Sequence, residues 1–158
     1  MKKTAIFPGS FDPFTIGHES LVMRALQLFD KVIIAVGSNM QKQGLFSIET
    51  RIAMIEKIFE NNKCVEVDKY EGLTVDYCRA KSVYFLIRGL RTSADFEFER
   101  SVGQVNKQME KRVETIFLLT STKYTPVSSS IVRDILANGG NANQFISNKI
   151  NINDYLNM

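Results

Sequence analysis

Apolar residues recur along this chain in two rhythms. Short unbroken runs at residues 5–7, 32–36, 83–87 and 116–119 are rich in branched side chains, as strands buried on both faces are. Between them, apolar positions repeat near every 3.6 residues: Leu21, Val22, Ala25, Leu26 and Phe29; then Ile48, Ile52, Ile55 and Phe59; then Phe98, Val102, Val105 and Met109. That spacing predicts amphipathic helices. A weaker strand at 65–67 precedes a short helix around 75–80, and Ile131, Val132, Ile135 and Leu136 form a late helix stopped by Gly139-Gly140. Regular alternation of strand and helix predicts an α/β, doubly wound, Rossmann-like fold. Its five-stranded parallel sheet would carry helices on both faces and bind ligands beyond the carboxyl ends of the strands. No internal repeat or linker is visible, so residues 1–158 read as a single domain. The asparagine-rich stretch 141–158 is expected to be a peripheral helix or a partly frayed tail of little functional weight.

Composition narrows the partners. With 158 residues, 44% of them hydrophobic, the chain can build one substantial core. Its formal charge of +3 comes from 20 basic and 17 acidic residues spread along the sequence. Without a basic run or tail, no nucleic-acid partner is expected, and small anionic ligands suit the balance better. Cys64 and Cys78 lack C-x-x-C spacing and read as ordinary reduced thiols. No stretch approaches the roughly 18 apolar residues of a membrane span, so no membrane partner is expected and the cytoplasm is the default location.

The ends of the strands hold the chemistry. After the first comes Pro8-Gly9-Ser10-Phe11-Asp12-Pro13-Phe14-Thr15-Ile16-Gly17-His18, which runs into the first helix. Glycine and a hydroxyl at a strand end let phosphate approach the backbone, and a helix start adds free N–H groups and a positive dipole end. A plain strand-to-helix turn uses the same residue types. His18 is the single histidine, which leaves metal ligation without partners; in the first turn of a helix its ring can donate to a phosphoryl oxygen. The second strand leads to Lys42, which could swing a point charge towards the same edge or simply be solvated. Arg88-Gly89-Leu90-Arg91 follows the fourth predicted strand, and two arginines around a glycine suit phosphate if a tight turn aims them inward. Ion pairing with Asp95, Glu97 or Glu99 accounts for them equally well. Ser128, Ser129 and Ser130 open the late helix, with Arg133 on its second turn; one serine serves as a cap, while three together make a donor site for an anion.

Four strand ends thus contribute phosphate-suited groups, and no serine-hydrolase elbow, paired-histidine motif or P-loop is present. If the nucleophile is a phosphate monoester, it is already largely dianionic at neutral pH, with a second pKa of about 6, and needs no general base. A cationic cradle then suffices, since such transfers depend on positioning and on stabilising charge around phosphorus.

Thr15-Ile16-Gly17-His18 resembles the T/H-x-G-H signature of nucleotidyltransferases, and Ser128-Ser129-Ser130-Ile131-Val132-Arg133 resembles its partner S-S-[ST]-x-x-R. Their order, with Phe7-Pro8-Gly9-Ser10-Phe11-Asp12-Pro13 and Ile87-Arg88-Gly89-Leu90-Arg91, resembles the bacterial phosphopantetheine adenylyltransferase family over about residues 3–133. The resemblance implies that ATP, accompanied by Mg²⁺, and 4′-phosphopantetheine give dephospho-coenzyme A and pyrophosphate. It implies His18 at the α-phosphate and Lys42 and Arg88 as further catalytic groups on the acceptor phosphate, with Ser10 and Thr74 also contacting that substrate. ATP would be surrounded by Ser10, Phe11, His18, Gly89, Leu90, Arg91 and Glu99, and by Tyr124, Thr125, Pro126, Val127, Ser128, Ser129 and Ser130. The metal would be held mainly by ATP phosphates. A homohexamer, and coenzyme A as a feedback inhibitor, complete the expectation. Ser10 stands where threonine is frequent, Phe7 and Phe98 where tyrosine is common, and Thr74 where the family is often apolar. The alternatives are a sister enzyme with another acceptor, such as nicotinamide mononucleotide or a polyol phosphate, and a catalytically silent ATP-sensing module.

Overall fold

The computed structural model describes residues 2–38 and 44–158. Five strands, β1 (Thr4–Gly9), β2 (Lys31–Gly37), β3 (Val65–Tyr70), β4 (Phe85–Leu90) and β5 (Glu114–Leu119), form one parallel sheet in the order β3-β2-β1-β4-β5. The chain winds outward from β1 to β3, then crosses to the other side of β1 for β4. This reversal between β1 and β4 is the switch point at which open α/β sheets bind ligands.

Burial follows from the period of two along each strand. Ala5 and Phe7 of β1 point into one core with Ile34 and Ile87, covered by Leu21, Val22 and Ala25 of α1 (Ile16–Ala25) and Ile55, Ile58 and Phe59 of α2 (Ile48–Phe59). Ile6, Ile33 and Leu86 point the other way, against Val75 and Cys78 of α3 (Thr74–Lys81). Both faces are therefore covered, as the unbroken apolar runs predict. α4 (Ser93–Met109) joins β4 to β5, and α5 (Ser129–Ala137) follows β5.

One expectation is corrected here. Residues 141–158 are not frayed: two 3-10 helices, Asn143–Phe145 and Ile152–Tyr155, bury Ala142, Ile146 and Ile152 in a third cluster with Phe46, Met54 and Val132. Asparagine side chains make this possible by capping irregular backbone, as when Asn143 Oδ1 accepts from Ile152 N at 2.9 Å. On α4 the apolar period is real, but Phe98, Val102, Val105 and Met109 are all exposed, and Glu99 is the helix's one buried residue.

Candidate active site

The loop between β1 and α1 sets the site. Thr15 is the N-cap of α1, and its hydroxyl accepts from His18 N. His18 takes the place that glutamate holds in a capping box: its Nδ1 accepts from Thr15 N at 3.0 Å. An accepting Nδ1 leaves the proton of the neutral ring on Nε2. The ring packs among Phe7, Phe11 and Phe14, with centroids 6.1, 5.1 and 5.3 Å away. Burial there, and then the charges of Arg88 and Arg91, lower its pKa to about 4. His18 is thus a neutral donor of fixed tautomer at neutral pH. Gly17, between cap and histidine, would accept a Cβ with only ordinary contacts, 3.5 Å to Thr15 Oγ1 and 3.6 Å to Tyr124 Cβ. The protein's own packing does not demand glycine there, whereas close approach of a ligand would.

Two recesses open at the carboxyl ends of the strands. The larger, about 700 Å³, lies over β1, β2 and β3 and reaches Tyr70, Thr74, Phe98 and Asn106. The smaller, about 340 Å³, lies over β1, β4 and the start of α5, and holds His18, Arg91 and the three serines. They share Pro8, Gly9, Ser10, Arg88 and Glu99. A phosphorus passed between two ligands would sit at that junction.

Arg88 is anchored there by three bonds. Its Nε and Nη2 donate to Glu99 Oε2 and Oε1 at 2.8 and 2.6 Å, and Nη1 donates to Pro8 O at 2.6 Å. Arg91 pairs with Asp95 at 3.2 Å on a more exposed rim. Of the two alternatives equal in the sequence, ion pairing is present, and it does not take the arginines away from the recess: the carboxylates hold the guanidinium groups there. The tight turn expected around Gly89 does not form, since β4 continues through Leu90. Gly89 is small for another reason: a Cβ would lie 2.4 Å from Leu21 Cδ1 of α1.

At α5, Ser128 is the N-cap, its hydroxyl accepting from Ile131 N at 3.2 Å. Ser129 Oγ donates to Pro13 O at 2.8 Å, and Arg133 bonds Asp12 O and Ser130 Oγ at 2.7 and 3.1 Å. The serine hydroxyls are therefore largely structural, and the end of the helix supplies backbone N–H groups and its dipole.

Of the residues predicted for the site, Ser10, Arg88 and Glu99 line both recesses. Phe11, His18, Gly89, Arg91, Val127, Ser128, Ser129 and Ser130 line the smaller. Thr74 lines the larger, where its hydroxyl meets Tyr70 Oη at 3.1 Å. Leu90, Tyr124, Thr125 and Pro126 are outside both linings, and Lys42 lies outside the described residues. Ser38, Tyr70, Glu71, Gly72, Val102 and Asn106 line the larger recess without having been expected there from sequence. The turn Glu71-Gly72 after β3 was open to the same strand-end argument that found the others.

Fold and site together define a nucleotidyltransferase. Residues 6–135 match the family described as Cytidylyltransferase-like. The chain is 50% identical over 150 residues to the phosphopantetheine adenylyltransferase of Cytophaga hutchinsonii, covering 95% of this chain and 100% of that one. It is 43% identical over 155 residues to the enzyme of that name from Clostridium novyi, covering 98% and 96%. This chain belongs to the phosphopantetheine adenylyltransferase family. A crystal structure of a bifunctional NMN adenylyltransferase/ADP ribose pyrophosphatase from Francisella tularensis superposes with a TM-score of 0.74 at 19% identity, over 99% of this chain. The present chain spans about half of that one, 49%, and the likeness is one of fold.

Proposed function

We propose that the chain transfers the adenylyl group of ATP to 4′-phosphopantetheine, giving dephospho-coenzyme A and pyrophosphate, reversibly, as a late step of coenzyme A biosynthesis. One observation carries the mechanism: a neutral His18 whose Nδ1 is occupied by Thr15 N, which leaves Nε2–H as a donor in the smaller recess. ATP occupies the smaller recess, its phosphates against Arg91 and the amide groups of α5. The acceptor's arm occupies the larger, its phosphate beside Ser10, Arg88 and Lys42. An oxygen of the acceptor phosphate attacks the α-phosphorus, the bond to the bridging oxygen breaks, and pyrophosphate leaves. No proton need be removed from a dianionic nucleophile. His18 and the cationic groups stabilise charge on the α-phosphoryl oxygens as it develops.

Mg²⁺ enters as part of the nucleotide substrate. Glu99 and Asp95, the carboxylates at the recess, are committed to Arg88 and Arg91, and no group of three His, Cys, Asp or Glu side chains is placed to hold an ion among the described residues. In this proposal the ATP phosphates are its principal ligands. All 158 residues act, in this proposal, as one nucleotidyltransferase domain in the cytoplasm. Among the described residues no helix is long and apolar enough to cross a membrane. Coenzyme A, which carries the same pantetheine arm, competes for the larger recess as a feedback inhibitor. The exposed stripe on α4 supports a homohexamer.

The test is pyrophosphate release from MgATP by purified protein with 4′-phosphopantetheine, nicotinamide mononucleotide or no acceptor. Release with 4′-phosphopantetheine alone is the expected result. Release only with nicotinamide mononucleotide would move the chain to a sister activity, and ATP binding without turnover on any acceptor would make it a sensing module.

A further inference from the structure

The segment from Pro8 to Pro13 has four of its carbonyls held from outside. Arg88 holds Pro8 O, Arg133 holds Asp12 O and Ser129 holds Pro13 O. The fourth holder is Arg51 of α2, whose Nη1 donates to Ser10 O at 2.5 Å and to Gly37 O at 3.4 Å. The last paired rung of β1 and β2 is Gly9 with Val36. Ser10 and Gly37 are the next residues on each strand, so the guanidinium spans the gap where the backbones part. Both carbonyl-bearing residues line the larger recess, and only Ser10 also lines the smaller.

Arg51 is 8% exposed and lines neither recess. Among the described residues no carboxylate lies within ion-pair distance of it, and its buried Nε meets no acceptor. Asp12, the nearest acidic group on the same loop, spends both oxygens on Leu45 N and Phe46 N, at 2.8 and 2.9 Å. Residues 39–43 are Asn, Met, Gln, Lys and Gln, which bring no carboxylate. A buried cation without a counter-ion is costly, and a structural tie between two carbonyls does not by itself require one. A dianionic ligand at the strand ends would compensate it.

We infer that Arg51 is a positioning residue for adenylyl transfer, holding the ends of β1 and β2 at the separation that shapes the acceptor's side of the junction. This rests on the larger recess taking the acceptor. Lysine cannot replace it, because its stem ends one atom sooner and its ammonium stops short of the place from which Nη1 reaches both carbonyls.

The experiment compares wild type, Arg51→Met and Arg51→Lys in pyrophosphate release, varying each substrate in turn, with thermal melts alongside. For Arg51→Met, KM for 4′-phosphopantetheine is expected to rise at least about 10-fold, because the acceptor's side of the junction loses its shape, with KM for MgATP changed less than about 3-fold. Arg51→Lys, which keeps the charge, should show the same split, and it decides the matter if the methionine variant does not fold. Equal losses for both substrates would reduce Arg51 to a general structural role. An unaltered acceptor KM in Arg51→Lys would show that charge alone suffices. Either result overturns the inference. Failure of the acceptor assignment is read separately, in wild type, as turnover that does not depend on 4′-phosphopantetheine.

Discussion

One nitrogen of the His18 ring is fixed by the fold. Nδ1 closes a capping box, which leaves Nε2–H for the role proposed for it, so the first turn of α1 cannot form in this way without also fixing the tautomer. His18→Gln is expected to lower kcat by about 10²–10³, the cost of losing a preorganised donor, while ATP affinity, measured by calorimetry, changes only a few-fold. The histidine also bears on stability. Its pKa falls from 6.5 unfolded to about 4 folded, so the unfolded chain binds the extra proton first. Stability is then unaffected above pH 6.5 and declines as pH drops from 6.5 towards 4, by roughly 3 kcal/mol in all at 1.36 kcal/mol per unit. Urea melts at pH 7 and pH 4.5 should show a larger loss for wild type than for His18→Gln.

Elements meet the site through paired charges of unequal worth. The Arg88–Glu99 pair joins β4 to α4 with two parallel bonds, and Glu99 is buried. Arg91–Asp95 uses one carboxylate oxygen on the rim, which accepts from Arg91 N at 3.0 Å and from its Nε at 3.2 Å. Charge-assisted bonds at a buried position are worth about 1.5–3 kcal/mol, whereas exposed pairs contribute about 0–1. Glu99→Gln leaves one acceptor oxygen where two are used. It should cost about 2 kcal/mol in a urea melt and reduce kcat/KM for the acceptor about 10-fold by loosening Arg88. Asp95→Asn should stay within about 0.5 kcal/mol.

Strands β1 and β2 and helix α2 were legible in the sequence because few arrangements besides a doubly buried strand and an amphipathic helix produce unbroken apolar runs and an i, i+4, i+7 stripe. Helix α4 was legible as a helix but not as to what its stripe faces, because periodicity reports a face and not its neighbour. His18, Ser10 and Arg88 could be placed at the sheet's carboxyl edge because each follows or closes a buried run. Tyr70 was hidden by its strand, Val-Glu-Val-Asp-Lys-Tyr, whose charges disguise a sheet member. Arg51 was hidden because arginine inside a helix pattern reads as its solvated face; its burial comes only from the parting of β1 and β2.

For the molecule as a whole, the C-terminal stretch acts as a third core. Ile152 is fully buried beside Met54, Val132 and Ile146, and Lys149 reaches back to Ile58 O at 2.9 Å and to Glu19, the neighbour of His18, at 3.4 Å. Ile152→Ala should therefore cost about 2–5 kcal/mol in a denaturant melt, as large-to-small changes in packed cores do. Specific activity of the folded fraction should hold, because the cluster lies behind α2 and α5 rather than in either recess.

Surface hydrophobicity carries the last step. Phe98 is 68% exposed, and Val102, Val105 and Met109 continue its stripe along α4, which also borders the larger recess through Phe98 and Val102. A contiguous apolar stripe on a small protein marks an interaction surface, and a second copy of the chain is the occupant that the proposed hexamer supplies. Val105 belongs to the stripe but lines neither recess, so Val105→Glu tests assembly without touching substrate. Light scattering should give wild type a mass six times the 18.0 kDa chain, and the variant a smaller species, because a carboxylate forced into an apolar interface is left unpaired. An unchanged mass in Val105→Glu would place the subunit contacts elsewhere on the molecule.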